Sequence, residues 1–237
     1  MNFDFSDEQK ELQRSARRML QKQCPTTAVR AVLESDQDYD RSLWATMAEM
    51  GFCGAAIPEQ YGGLGLGYLE LCVIAEELGR ALAPTPFDSS IGLFSEILKF
   101  AGSKEQKSKY LPGIAQGGLI GTLARSEPEG ATAAGGVTAT EGKLSGEKCP
   151  VMDGRAADVA IVAAREGQQS SLFLVELASA GVRRALVETL DTSRKHARVS
   201  FEAAQGERLG AVGAAPEILS RAYDHAARAD SFITSPS

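Results

Sequence analysis

Residues 57–80, IPEQYGGLGLGYLELCVIAEELGR, fall into two halves of opposite character. Gly62, Gly63, Gly65 and Gly67 put four glycines into six residues. Glycine loses the most backbone freedom on ordering, so this half is neither a good helix nor a good strand. It is a shaped loop, entered at Pro58. The second half is helical. Leu71, Ile74, Ala75, Leu78 and Leu82 recur at helical spacing and build one apolar face. Glu70, Glu76, Glu77 and Arg80 fall off that face, Glu76 and Glu77 reading as solvated or capping residues, and Pro84 and Pro86 stop the helix.

Phosphate-cradling motifs fail on these glycines. The dinucleotide fingerprint wants glycine at its first, third and sixth places, and counting from Gly65 the sixth place is Glu70. The phosphate loop wants Gly-Lys before Ser or Thr. Here Gly67 precedes Tyr68, and Gly142-Lys143 precedes Leu144. From motif rules the stretch reads as a tight loop packing backbone against a helix. Taken whole, PEQYGGLGLGYLELCVIAEELGR resembles the N-terminal-domain signature of the acyl-CoA dehydrogenase family, a Tyr-Gly-Gly-x-Gly loop and a helix ending Glu-Glu-Leu-Gly-Arg.

The remaining composition bounds the answer. The chain has 237 residues, 43% hydrophobic and 24% charged, as in an ordinary globular protein. Its net charge of -6 argues against nucleic acid, which wants a clustered basic face. No apolar run approaches the roughly 20 residues of a membrane span. The N-terminus, MNFDFSDEQKEL, carries acids where a secretory signal carries basic and then apolar residues, so a cytoplasmic protein is expected. Cys24, Cys53, Cys72 and Cys149 show no metal spacing and read as free thiols in a reducing compartment. With only two histidines, His196 and His225, a His-rich metal site is excluded.

Working outward, residues 1 to about 115 read as helices. Ser6 with Gln9 is a capping box, and Leu12, Ala16, Met19 and Leu20 give the first stripe. Thr26 or Thr27 starts a second helix through Leu33. Ser42–Met50 is a third, ended by Gly51, with Trp44 inward as a core residue rather than a cofactor-stacking one. An apolar helix is expected over Asp88–Phe100 and another over Ser103–Ala115, where Lys104, Lys107 and Lys109 form a solvated face. From about residue 118 the period alternates. Strands are expected at Leu119–Ala124, Val137–Thr140, Lys143–Ser145, Asp158–Ala164, Ser171–Leu177, Arg184–Glu188 and Ala197–Phe201, spaced as in an antiparallel barrel or sandwich. Pro216–Phe232 returns to helix.

This α+β order is what the resemblance implies: an N-terminal all-helical domain over 1–117, a β-barrel domain over 118–212, and the start of a C-terminal helical domain over 213–237. The Lys-x-x-Tyr-Leu-Pro segment at Lys107–Pro112 also resembles the family. Its flavin and substrate loop, Thr-Glu-Pro-x-Ala-Gly-Ser-Asp, matches Ser126-Glu127-Pro128-Glu129-Gly130-Ala131-Thr132-Ala133, which keeps two hydroxyls, replaces a Gly with Ala131 and loses the Asp. The family's Gly-x-Lys-x-Trp-Ile-Thr-Asn-Gly matches Gly146–Gly154. Pro150 stands for the Trp that covers a flavin face and Met152 for the Thr whose hydroxyl meets the flavin ring. By resemblance, FAD contacts Leu123, Arg125, Ser126, Ala131, Thr132, Pro150 and Met152, and Thr132 also meets substrate. Asp191-Thr192-Ser193-Arg194 is similar to the divergent branch in which two unlike subunits share a site, including steroid side-chain dehydrogenases.

The implied chemistry is α,β-desaturation of an acyl-CoA thioester. It needs a carboxylate base within reach of the α-proton. In the family that base lies in the C-terminal helical domain, so no catalytic residue is assigned here, and the chain reads as incomplete. The alternative is a non-catalytic partner subunit of a heteromeric dehydrogenase. A homo- or hetero-oligomer is expected either way.

Overall fold

The structure, a computed structural model, describes residues 5–128, 136–190 and 194–233, with the side chains of the last helix described as far as residue 225. Helices α1 (Asp7–Gln23), α2 (Thr26–Leu33), α3 (Arg41–Glu49), α4 (Tyr68–Arg80), α5 (Ser95–Ala101) and α6 (Lys104–Ala115) come first. Strands β1 (Gly121–Ala124), β2 (Thr138–Thr140), β3 (Lys143–Met152), β4 (Val159–Glu166), β5 (Gln169–Glu176), β6 (Val182–Val187), β7 (His196–Gln205) and β8 (Glu207–Leu209) follow, then α7 (Ala215–Ile233).

The helix starts follow local chemistry. Ser6 and Gln9 make the expected reciprocal cap on α1, with the Gln9 amide 3.2 Å from Ser6 Oγ and the Ser6 amide 2.9 Å from Gln9 Oε1. Ser103 and Gln106 do the same on α6. Asp40 caps α3, and Gly51 beyond it takes φ +79°, the left-handed value that a helix end wants. Trp44 is buried and donates from Nε1 to the Gly117 carbonyl at 2.9 Å, as its core reading requires.

The glycine loop is held by its own backbone. Leu64, Gly65 and Leu66 amides donate to the Gly54, Ile57 and Ala55 carbonyls at 2.8–2.9 Å. A Cβ on Gly63 would stand 2.0 Å from the Ile57 carbonyl oxygen, so only glycine fits there. Gly62 and Gly65 instead need glycine for φ of +81° and +62°.

Three expectations change. Glu77 is not solvated: it is 1% exposed and accepts from Arg17 Nε and Nη2 at 2.9 and 2.6 Å. Helix α4 is sandwiched between α1 and α7, so its buried arc is wider than one apolar face. The expected Asp88–Phe100 helix is two pieces, a wide-turn run Asp88–Phe94 and then α5. The β region is one eight-stranded mixed sheet, ordered β6-β7-β3-β2-β4-β5-β8 with β1 also on β4. Both β1 and β2 run parallel to β4, where an antiparallel arrangement was expected. The continuous apolar run of β4 is buried residue after residue from Val159 to Ala164, as a strand covered on both faces must be. Glu141 and Gly142 turn the β2–β3 hairpin with φ of +51° and +76°.

Gly121 lets β1 lie on the Asp88–Phe94 run, because a Cβ there would sit 2.2 Å from Phe94 Cγ. Its amide is received by Ser90 Oγ at 3.0 Å. The two halves therefore share one core. Among the described residues no helix is long and apolar enough to cross a membrane. All four cysteines are free and buried.

Candidate functional site

Strand β1 ends at Ala124, and the chain leaves it as Arg125-Ser126-Glu127-Pro128. Strand β3 runs alongside and carries Pro150 and Met152 near its end. These strands, the wide-turn run and α7 enclose a cleft of about 230 Å3. Leu123, Arg125, Ser126, Pro150 and Met152 all line it. The structure thus brings together five of the residues singled out in the sequence. Ala131 and Thr132 lie outside the described residues, as do residues 191–193.

The exit of β1 is fixed from β3. The Cys149 amide donates to the Ser126 carbonyl at 2.9 Å. One residue earlier Lys148, only 1% exposed, donates from Nζ to the Arg125 carbonyl at 3.1 Å and pairs with the Glu127 carboxylate. Burial draws the Lys148 ammonium below the usual lysine range, opposed by Glu127. Thr122 also lines the cleft, and its hydroxyl donates its proton to the Met152 carbonyl at 2.6 Å. The Cys149-Pro150 peptide is cis, and Pro150 is exposed.

Four further lining residues carry no sequence motif: Ser89 and Leu93 from the wide-turn run, His196 from β7 and Tyr223 from α7. They come from elements far apart in the chain, so spacing held no signal for them. Tyr223 closes one side, with the Arg125 guanidinium 5.3 Å from its ring centroid. Arg125 and Tyr223 also line a larger cavity of about 750 Å3, walled by Glu127, Lys148, Arg165 and Asp224.

Behind Met152 sits Asp153, 4% exposed and at φ +51°. Ser89 Oγ donates to its Oδ2 at 2.7 Å. Burial pushes the Asp153 carboxyl up to about 6, against the lowering influence of Ser89 and Arg194. Asp38 and Asp88 face it as well, each paired with arginine, Asp38 with Arg155 at 3.1 Å and Asp88 with Arg194.

Residues 6–118 match the family described as acyl-CoA dehydrogenase, N-terminal domain. The chain belongs to the acyl-CoA dehydrogenase family. Among curated members, the mitochondrial isovaleryl-CoA dehydrogenase of Arabidopsis thaliana is 31% identical over 196 residues, 76% of this chain and 47% of that relative. Among solved structures, an acyl-CoA dehydrogenase complexed with FAD from Bacillus anthracis shares 28% identity with a TM-score of 0.87, covering 98% of this chain and 43% of that one. The Tcur3481-Tcur3483 steroid ACAD shares 29% with a TM-score of 0.83, covering 96% of this chain and 62% of that one. The chain spans about a third to a half of the length of the first curated relatives it matches.

Proposed function

We propose that this chain supplies part of the flavin and substrate site of an acyl-CoA dehydrogenase-type oxidoreductase that desaturates an acyl-CoA thioester. The observation that carries the reading is the cleft in which Leu123, Arg125, Ser126, Pro150 and Met152 meet. Its lining fits FAD: Leu123, Pro150 and Met152 offer apolar walls for a flat ring, and Ser126 offers an exposed hydroxyl. When bound, FAD supplies the acceptor for the hydride leaving the substrate. The chain's own residues bind, orient and dry the site. Leu93, Leu123 and Met152 exclude water, and Ser126 hydrogen-bonds a polar edge. The Arg125–Tyr223 contact joins the smaller cleft to the larger cavity, where an acyl-CoA tail has room beside Arg125 and Arg165.

The division into 1–117, 118–212 and 213–237 belongs to the same proposal, as do Ala131 and Thr132 as flavin and substrate contacts, assembly as a homo- or hetero-oligomer with another dehydrogenase subunit, and a cytoplasmic setting. The test is the visible absorption spectrum of the purified chain before and after FAD is added and removed by desalting. Retained flavin bands are expected. A colourless protein overturns the flavin-bearing role.

A second reading, a non-catalytic partner of an active dehydrogenase subunit, has one observation in its favour. No Asp or Glu is among the described residues lining the smaller cleft, and α-proton abstraction needs a carboxylate within hydrogen-bond reach. Reconstitution with a companion dehydrogenase chain separates the two. Turnover of acyl-CoA that also disappears when Ser126→Ala and Met152→Ala are introduced favours the shared site, and turnover indifferent to them favours the partner.

A further inference from the structure

We propose that Lys148 is a positioning residue for the cleft, acting as a buried tether that sets where Ser126 stands. The proposal rests on the flavin reading above. Three observations converge on it. Lys148 is on β3, and its side chain is among the largest fully buried ones of the described residues, the residue being 1% exposed. It is directed at the exit of β1, meeting the Arg125 carbonyl at 3.1 Å and the Glu127 carboxylate. Those partners flank Ser126, whose own carbonyl is taken by the adjacent Cys149 amide at 2.9 Å.

Three consecutive residues of an irregular segment are therefore fixed by two consecutive residues of a strand. The same strand also supplies Pro150 and Met152 to the lining of the cleft. A buried ammonium is costly unless paired, and removing the half-buried Glu127 leaves the Lys148 charge uncompensated. The pairing is thus a strong positional constraint whatever its net stability. Gly136 leaves room for the Glu127 carboxylate, since a Cβ there would approach it to 2.5 Å. Ser126 lies where the chain has left the β ladder, and the β1–β4 register ends at Ala124 with Val162. The tether replaces that ladder as its support.

The experiment compares wild type, Lys148→Met and Glu127→Gln in the full chain, with two readouts: FAD affinity by quenching of flavin fluorescence, and backbone amide exchange across residues 123–128. Lys148→Met keeps length and apolar volume but removes the donor. Expected are FAD binding weakened at least about tenfold and faster exchange confined to 123–128, with slow exchange in β4 retained. Glu127→Gln, which leaves an acceptor for the ammonium, is expected to change both in the same direction by less. FAD binding within twofold of wild type and unchanged exchange in either soluble variant overturns the tether. If Lys148→Met does not fold, Glu127→Gln and Glu127→Ala decide by the same readouts. If wild type binds no FAD, the flavin reading fails, and exchange alone still supports or overturns the tether.

Discussion

The molecule holds two irregular loops in place by opposite means. Residues 57–67 are fixed by their own backbone, whose amides turn back onto carbonyls of residues 54–57. Residues 125–127 are fixed from outside, by Lys148 and Cys149 of a strand 21 to 23 positions further on. The first loop needs the absence of side chains, and the second needs one long side chain. A loop of the first kind has its shape written in local composition. A loop of the second kind is specified only once the sheet has formed. That difference suits their places, since the first loop closes a helical layer and the second borders the cleft.

The sharpest way to break the comparison is at Gly63. A side chain there meets a backbone carbonyl that the Gly65 amide already holds at 2.9 Å. Gly63→Val is expected to cost about 4 kcal/mol or more, in the range of severe core disruption, and urea unfolding measures it. A loss below about 1 kcal/mol would mean that the loop is not backbone-determined.

Asp153 probes the residue just beyond Met152, at the end of the strand that holds the second loop. Its carboxyl lies near 6 in the folded state, above the ordinary 3.8. The folded protein therefore binds this proton more tightly than the unfolded chain between those values. Its contribution favours folding most at the acid end and is lost as pH rises through about 6. Asparagine carries no charge to desolvate, accepts from Ser89 equally well and tolerates the left-handed backbone. Asp153→Asn is expected to add on the order of 2 kcal/mol at pH 8 and close to nothing at pH 4. A gain independent of pH would refute the burial account.

Two smaller effects sharpen the contrast. Gly62 has nothing within 4 Å of a built Cβ, so Gly62→Ala meets only the cost of a left-handed alanine, about 1–2 kcal/mol. Neighbouring glycines thus separate steric from conformational need. Ser103→Ala removes a helix cap outside both loops and should cost about 1 kcal/mol. Thermal unfolding of this pair tests the ranking.

The sequence carried the order of elements, the caps at Ser6 and Gly51, the Glu141-Gly142 hairpin and the buried strand after Asp158, because each is signalled within a few residues. It also carried the cleft residues of β1 and β3, through their family motifs. It misplaced Glu77, because helical spacing shows one apolar face and α4 is covered from two sides. It could not show β8, three residues long and formed only by pairing with β5. Nor could it show Ser89, His196 or Tyr223, which reach the cleft from three elements that only the folded chain brings together.

Gln106 closes the cap of α6 with its side-chain oxygen, while its amide nitrogen reaches Glu207 and the Arg208 carbonyl of β8 at 2.7 and 2.9 Å. The two groups it joins are 101 and 102 positions downstream. On a ribosome, which releases the chain from its N-terminus, α6 can emerge and coil early, but its first turn waits for almost the whole sheet before its latch is complete. A stalled or shortened product ending before residue 207 would carry a helix whose start is left unfastened.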